Sequence, residues 1–188
     1  VGAAAMAYVT RESPPPETEL KTLSPWRTAP GSSHKYTPRT VKRQAQAMNG
    51  LCEYVHDGDT LSFIPDGDGR ELRVRLHGVD APEKGQAFAD EARQWLRSQA
   101  QGKQIRLLVK DIDQYGRYVA RVYVGESCMN SEILRLGFAM RYEKYCDPVQ
   151  DADLASAEAT ARDARRGLWA DDDFINPREH RRRYGTVH

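Results

Sequence analysis

Between residues 51 and 124 the chain is divided into short runs of alternating apolar and polar residues, each bounded by Gly, Asp or Pro, and this rhythm restricts it to small strands joined by tight turns. Residues 51–56, 60–64 and 71–76 are the first three such runs. Asp66-Gly67-Asp68-Gly69, between the second and third, has hairpin-turn composition, because Asp and Gly tolerate positive φ. An EF-hand starting at Asp66 is excluded, since its closing Glu would have to stand where His77 is. Residues 104–109 and 118–124 alternate in the same way around a turn at 113–117. Helical spacing replaces the alternation at Phe88, Ala92, Trp95, Leu96 and Ala100, predicting a helix between Gly85 and Gln101. A short helix over 130–136 stopped by Gly137 follows, then a long Ala-rich one over 151–166 closed by Gly167, with Leu168 and Trp169 as apolar plugs beyond it. Three strands, a helix, two strands and then helices describe a small, strongly curved sheet capped by helices, an α+β arrangement.

With 188 residues the chain can bury one core, and the alternation places that core after residue 50. Residues 10–50 carry Pro14-Pro15-Pro16, Gly31-Ser32-Ser33 and scattered cations including Arg39, Lys42 and Arg43, with few aliphatics; residues 1–50 read as a tail or linker. The domain is expected over 51–170, with a basic extension over 171–188 whose Arg178, Arg181, Arg182 and Arg183 read as a solvated tail or as nonspecific polyanion contacts. The net charge of +1 is balanced, so attraction to a polyanion has to come from local arginine clusters. Cys52, Cys128 and Cys146 have no metal-site spacing; free thiols, or one bridge between Cys128 and Cys146, are both open. The small apolar stretch over residues 1–9 is far shorter than a membrane span; it fits the remnant of a signal or anchor, and equally an arbitrary start, so a secreted, periplasmic or anchored location is the expectation and a cytoplasmic one stays open.

Asp59 opens one predicted strand and Asp80 follows another, so pairing of those strands brings two carboxylates together, and a hard cation, Ca²⁺ or Mg²⁺ rather than zinc, relieves their repulsion. Each is also an ordinary turn acid when taken singly. Glu83 lies just after Pro82, which gives the chain a defined path; it can handle a water or simply face solvent at a helix N-terminus. Arg75 in an alternating strand and Arg117 at the end of Tyr115-Gly116-Arg117 can grip a phosphate with planar forks or line a solvent face. Tyr115, Tyr142 and Tyr145 offer faces for base stacking, or half-buried packing surfaces. His56 and His77 have no triad-like setting.

Residues 55–60, 75–83 and 113–117, in this order and separation, resemble the staphylococcal nuclease family, and the likeness extends over about 51–169 through Met129 to Ala139 and Ala164 to Trp169. The resemblance implies a five-stranded OB-type β-barrel with three α-helices, and Ca²⁺-dependent hydrolysis of DNA and RNA, single strands preferred, leaving 3′-phosphate ends, by a protein expected to be a monomer. It implies Asp59, Asp80 and the Ala81 carbonyl as metal ligands, and Arg75 and Arg117 on the scissile phosphate. Glu83 is implied as base or water-orienter, with Tyr115, Tyr142 and Tyr145 about the nucleotide. Ala81 replaces the threonine and Gln114 a phosphate-contacting lysine of the best-known member, and the loop after Glu83 is much shorter. The competing expectation is an OB-type module that binds nucleic acid or protein without turnover.

Overall fold

A computed structural model of the chain describes residues 46–185; the expectations for the tail up to residue 45, its N-terminal apolar stretch included, fall outside these residues. Eight strands and four α-helices follow one another from Gln46. The strands are β1 (Gln46–Val55), β2 (Thr60–Pro65), β3 (Leu72–Leu76), β4 (Val79–Asp80), β5 (Gln104–Ile112), β6 (Tyr118–Val124), β7 (Ser127–Cys128) and β8 (Met140–Arg141). The helices are α1 (Ala89–Ala100), α2 (Met129–Arg135), α3 (Ala152–Asp163) and α4 (Pro177–Tyr184).

β1, β2, β3, β5 and β6 form a closed barrel. β1 is shared: Gln46 to Leu51 pair antiparallel with β5, and Gly50 to Val55 pair antiparallel with β2. Gly50 lies where the strand changes partners, and a Cβ there would stand 2.1 Å from the Ile64 carbonyl oxygen, so only glycine allows the coil at this corner. The β2–β3 hairpin turns through Asp66 to Gly69 as expected, and β3 closes the barrel by pairing parallel with β6, Val74 opposite Tyr118 and Arg75 opposite Val119. Phe63, Leu61, Val74, Leu76, Leu107 and Val122 fill the interior, where α1 contributes Ala92 and Leu96, α2 Ile133 and Leu134, and α3 Leu154. No helix among the described residues is long and apolar enough to cross a membrane.

Three expectations change. β1 starts five residues before Leu51, because Gln46 to Gly50 pair with β5 although their side chains show little apolar alternation. The first helix starts at Ala89 rather than near Gly85, behind a left-handed Phe88, so Glu83 sits in the preceding turn and not at a helix N-terminus. A fourth helix, α4, occupies the region expected to be a solvated tail: Asn176 caps it by accepting a hydrogen bond from the Arg178 amide at 2.9 Å, and Pro177 stands at its first turn. The three cysteines are free; Cys128 and Cys146 form no bridge, and burial pushes the Cys52 thiol up to about 12.

Candidate functional site

Alternation in β3 turns Val74 and Leu76 inward and Arg75 outward, toward the turn that precedes β2. That turn is held close by the barrel itself: the Leu76 amide donates to the Asp59 carbonyl at 2.8 Å, and Thr60 pairs with Arg75 across the sheet. One guanidinium nitrogen, Nη2 of Arg75, then reaches Asp59 Oδ2 at 3.0 Å and Asp80 Oδ1 at 3.2 Å, and donates to the Val79 carbonyl at 3.3 Å. The two carboxylates expected to share an ion therefore converge on a single point, and the Arg75 guanidinium holds it. Both residues are buried, 5% and 3% exposed, which makes their charge expensive unless it is compensated.

The Asp59 carboxylate is oriented by Thr60 Oγ1, donating to Oδ1 at 2.8 Å, and by the Ala81 amide, donating to Oδ2 at 3.3 Å. Asp57 turns back on the same loop and accepts from the Asp59 amide at 2.9 Å. Burial, with Asp59 adding to it, raises the Asp80 carboxyl above its ordinary range against the pull of Arg181 and Arg75. Asp59 in turn raises the Arg75 guanidinium, so this cation stays charged. The pocket is an acidic concentration held together by arginines.

Gly58 brings the loop this near. A Cβ on it would stand 2.7 Å from the Cβ of both Ala81 and Ala92, so the turn lies flat on the Ala81 segment and on α1. Gly58→Ala is expected to push the Asp57–Asp59 loop off that surface, with a stability loss of about 1–3 kcal/mol measurable by urea unfolding.

Glu83 is fixed by Gln86, whose Oε1 accepts from the Glu83 amide at 2.7 Å and whose own amide donates to the Glu83 carbonyl at 2.8 Å. Its carboxylate is turned into the same pocket and meets Arg181 of α4: Nη1 donates to Glu83 Oε1 at 2.6 Å, while Nη2 donates to Asp80 Oδ2 at 2.8 Å. Arg181 was hidden from sequence reasoning inside a run of arginines, although Asn176-Pro177 before it carries a helix-start signal.

Arg117 is placed differently. Its guanidinium bonds Asp113 of its own turn, Nε to Oδ2 at 2.8 Å, and lies 5.4 Å from the centroid of the Tyr115 ring. The structure thus joins Arg75 with Asp59, Asp80 and Glu83 through shared arginines, and keeps Arg117 on the 113–117 turn. Tyr115 and Tyr145 are 75% and 55% exposed, open enough to stack on a flat ligand. Tyr142 packs edge-on to Tyr145 at 4.7 Å and lies 5.9 Å from the Arg75 guanidinium carbon, which places it beside the carboxylates.

The model of the family described as staphylococcal nuclease homologue matches residues 73–171, which take in Arg75, Asp80, Glu83 and Arg117. An uncharacterised endonuclease of Haemophilus influenzae is 36% identical over 146 residues, 76% of this chain and 79% of that protein. A micrococcal nuclease of Shigella flexneri is 35% identical over 137 residues, 68% of this chain and 77% of its own. A probable staphylococcal-like nuclease of Oryza sativa is 34% identical over 158 residues, 80% of this chain but 46% of that longer protein. A closed barrel with carboxylates gathered about a β3 arginine, a family match over more than half the chain and relatives of this similarity together place the protein in the staphylococcal nuclease family.

Proposed function

We propose that this protein is a Ca²⁺-dependent nuclease that hydrolyses phosphodiester bonds of DNA and RNA at the Asp59–Asp80–Glu83 pocket. The observation that carries this reading is the convergence of Asp59 and Asp80 on one point beside Glu83 and Arg75. The relatives named nuclease and endonuclease support the reaction class.

The residues present suit a hard divalent cation. Carboxylate oxygens dominate, and neither thiolate nor paired histidine accompanies them. Among the described residues no three His, Cys, Asp or Glu side chains are placed to hold a metal ion by themselves. Asp59, Asp80 and the Ala81 carbonyl would therefore be the protein's share of the ligands, the remainder coming from water and substrate. Bound there, Ca²⁺ supplies Lewis-acid polarisation of the phosphate.

The other steps belong to the side chains. Arg75 receives a nonbridging phosphate oxygen and stabilises the charge that grows on five-coordinate phosphorus. Arg117, once a phosphate competes with Asp113 for its fork, adds a second cation from the 113–117 turn. Glu83 orients the attacking water and accepts its proton as the new P–O bond forms and the bond to the 5′ oxygen breaks; that oxygen takes a proton from solvent and leaves as a 5′-hydroxyl, and the other product ends in a 3′-phosphate. Tyr115, Tyr142 and Tyr145 hold bases by stacking, which favours single strands, where the base faces are free. The reading extends to a monomer in a secreted, periplasmic or membrane-anchored setting.

The test is direct. Incubation with single-stranded DNA and with RNA, in Ca²⁺, in Mg²⁺ and in chelator, is expected to give cleavage with Ca²⁺ that chelator abolishes and that Glu83→Gln depresses by about 10²–10⁴-fold in kcat. Retained binding with no cleavage under any of these conditions replaces the proposal by a noncatalytic nucleic-acid-binding barrel.

A further inference from the structure

We infer that Arg181 is a built-in cation that closes the pocket, so that a divalent ion must displace the α4 guanidinium before it gains Asp80. The inference rests on the cation-site reading above and concerns how that site is kept shut.

Arg181 uses its fork in full. Nη2 takes Asp80 Oδ2 at 2.8 Å and Nη1 takes Glu83 Oε1 at 2.6 Å, so one planar group spans the carboxylate assigned to the metal and the carboxylate assigned to water. Arg75 Nη2 already stands between Asp59 Oδ2 and Asp80 Oδ1 and must also turn aside for an ion, so both Asp80 oxygens are engaged by guanidinium and Arg181 adds the second, α4-borne barrier. The side chains of Arg181, Asp80 and Glu83 are 23%, 5% and 14% exposed, so the contact is sheltered from the screening that weakens surface ion pairs. A metal ligand oxygen lies about 2.3–2.6 Å from Ca²⁺, and a dication that close cannot share Asp80 Oδ2 with a guanidinium without strong repulsion. Occupancy by one excludes the other.

The docking of α4 is specific. Asn176 caps the helix and Pro177 is buried at its start. Gln86 ties the two partners together: its Oε1 accepts from the Glu83 amide at 2.7 Å, while its Nε2 donates to the Ile175 carbonyl at 2.9 Å. The loop carrying Glu83 and the segment leading into α4 thus meet through one side chain. The neighbouring arginines behave otherwise: Arg182 and Arg183 both bond Glu179 of their own helix, each at 2.7 Å. Among the arginines of α4, Arg181 is the one that reaches Asp80 and Glu83.

The test is calorimetric titration of Ca²⁺ into the chelator-stripped full chain, for wild type, R181Q, R181K and R182Q, with thermal midpoints of the metal-free proteins. R181Q is expected to bind Ca²⁺ at least about tenfold more tightly, equivalent to about 1.4 kcal/mol. Its metal-free midpoint should fall below wild type, and its rise on adding Ca²⁺ should be larger. R181K keeps the charge but has one compact head that cannot span both carboxylates, so it too should bind Ca²⁺ more tightly than wild type, by at least about threefold. R182Q should match wild type. Equal or weaker Ca²⁺ binding by R181Q, or an R181K indistinguishable from wild type, overturns the inference while leaving the cation site standing. Absence of binding in all four proteins overturns the site reading and this inference together.

Discussion

Arg75→Ala is expected to lower kcat/KM on single-stranded DNA by about 10²–10³-fold, the loss usual when a transition-state charge donor is removed. The side chain stands where two needs meet. It compensates Asp59 and Asp80 in the folded protein, and the proposed function gives it the scissile phosphate as well. Removing it should therefore also loosen the loop around Asp59, because two buried carboxylates lose a shared partner. Arg75→Lys separates the two effects. The ammonium keeps the charge, so the thermal midpoint should return close to wild type, whereas a single compact head cannot reproduce the planar fork and activity should stay depressed. Steady-state kinetics beside thermal melts give the result, and full activity in Arg75→Lys would show that only charge is required there.

Arg121→Met is expected to destabilise the fold by about 3–5 kcal/mol, because it strands a buried carboxylate. Arg121 in β6 donates from Nη2 to Asp151 Oδ1 at 2.8 Å and to Asp153 Oδ1 at 2.7 Å, and from Nη1 to Asp153 Oδ2 at 2.8 Å. The side chain of Asp151 is 2% exposed, and its second oxygen meets His77 Nε2 at 2.9 Å and the Asp147 amide at 2.8 Å. Ser131 of α2 adds a bond to Asp153 Oδ2 at 2.7 Å. This network pins the start of α3 to the barrel and to α2, and the acids at that end also suit the helix dipole. Chemical denaturation should show the loss, with Arg121→Lys retaining part of the stability.

The same network sets a pH dependence. The Arg121 bond holds Asp153 at about 2, below its ordinary value of 3.8. Burial alone would raise Asp151, but the bonds from His77 and Arg121 hold it below that value as well. Both folded values are depressed, so the stabilisation is fully present above about pH 4 and is lost as the pH falls toward 2. The Asp153 side chain is 47% exposed, so its own share is reduced by solvent screening and the buried Asp151 carries more of the effect. The stability gap between wild type and Arg121→Met should be widest near neutrality and close in acid, which a series of denaturation curves from pH 7 to pH 2 measures.

Much of the pocket was legible beforehand because its parts are local. Asp57-Gly58-Asp59-Thr60 announces a turn into a strand, and Arg73-Val74-Arg75-Leu76 announces a strand with arginines on one face. Two registers convert these into a site: Thr60 opposite Arg75, and Arg75 opposite Val119. In the sequence Arg121 is only one position of the alternating run 118–124, since its partners lie 30 and 32 positions away and no local pattern links them. The Asn176-Pro177 cap was present to be read, but the arginines after it resemble any solvated tail.

Strand order of apolar and polar side chains, turn chemistry and helix stops are properties of neighbouring residues, and they sufficed for a small, strongly curved α+β sheet capped by helices, with acids and arginines at its turns; closure into a barrel needs the parallel β3–β6 pairing. Which charges meet is a property of the folded surface. Coulomb attraction in a sheltered place depends on separations of a few ångströms between groups remote in the chain, and folding sets those: Arg75 between Asp59 and Asp80, Arg117 with Asp113, and Arg181, about a hundred residues downstream, across Asp80 and Glu83.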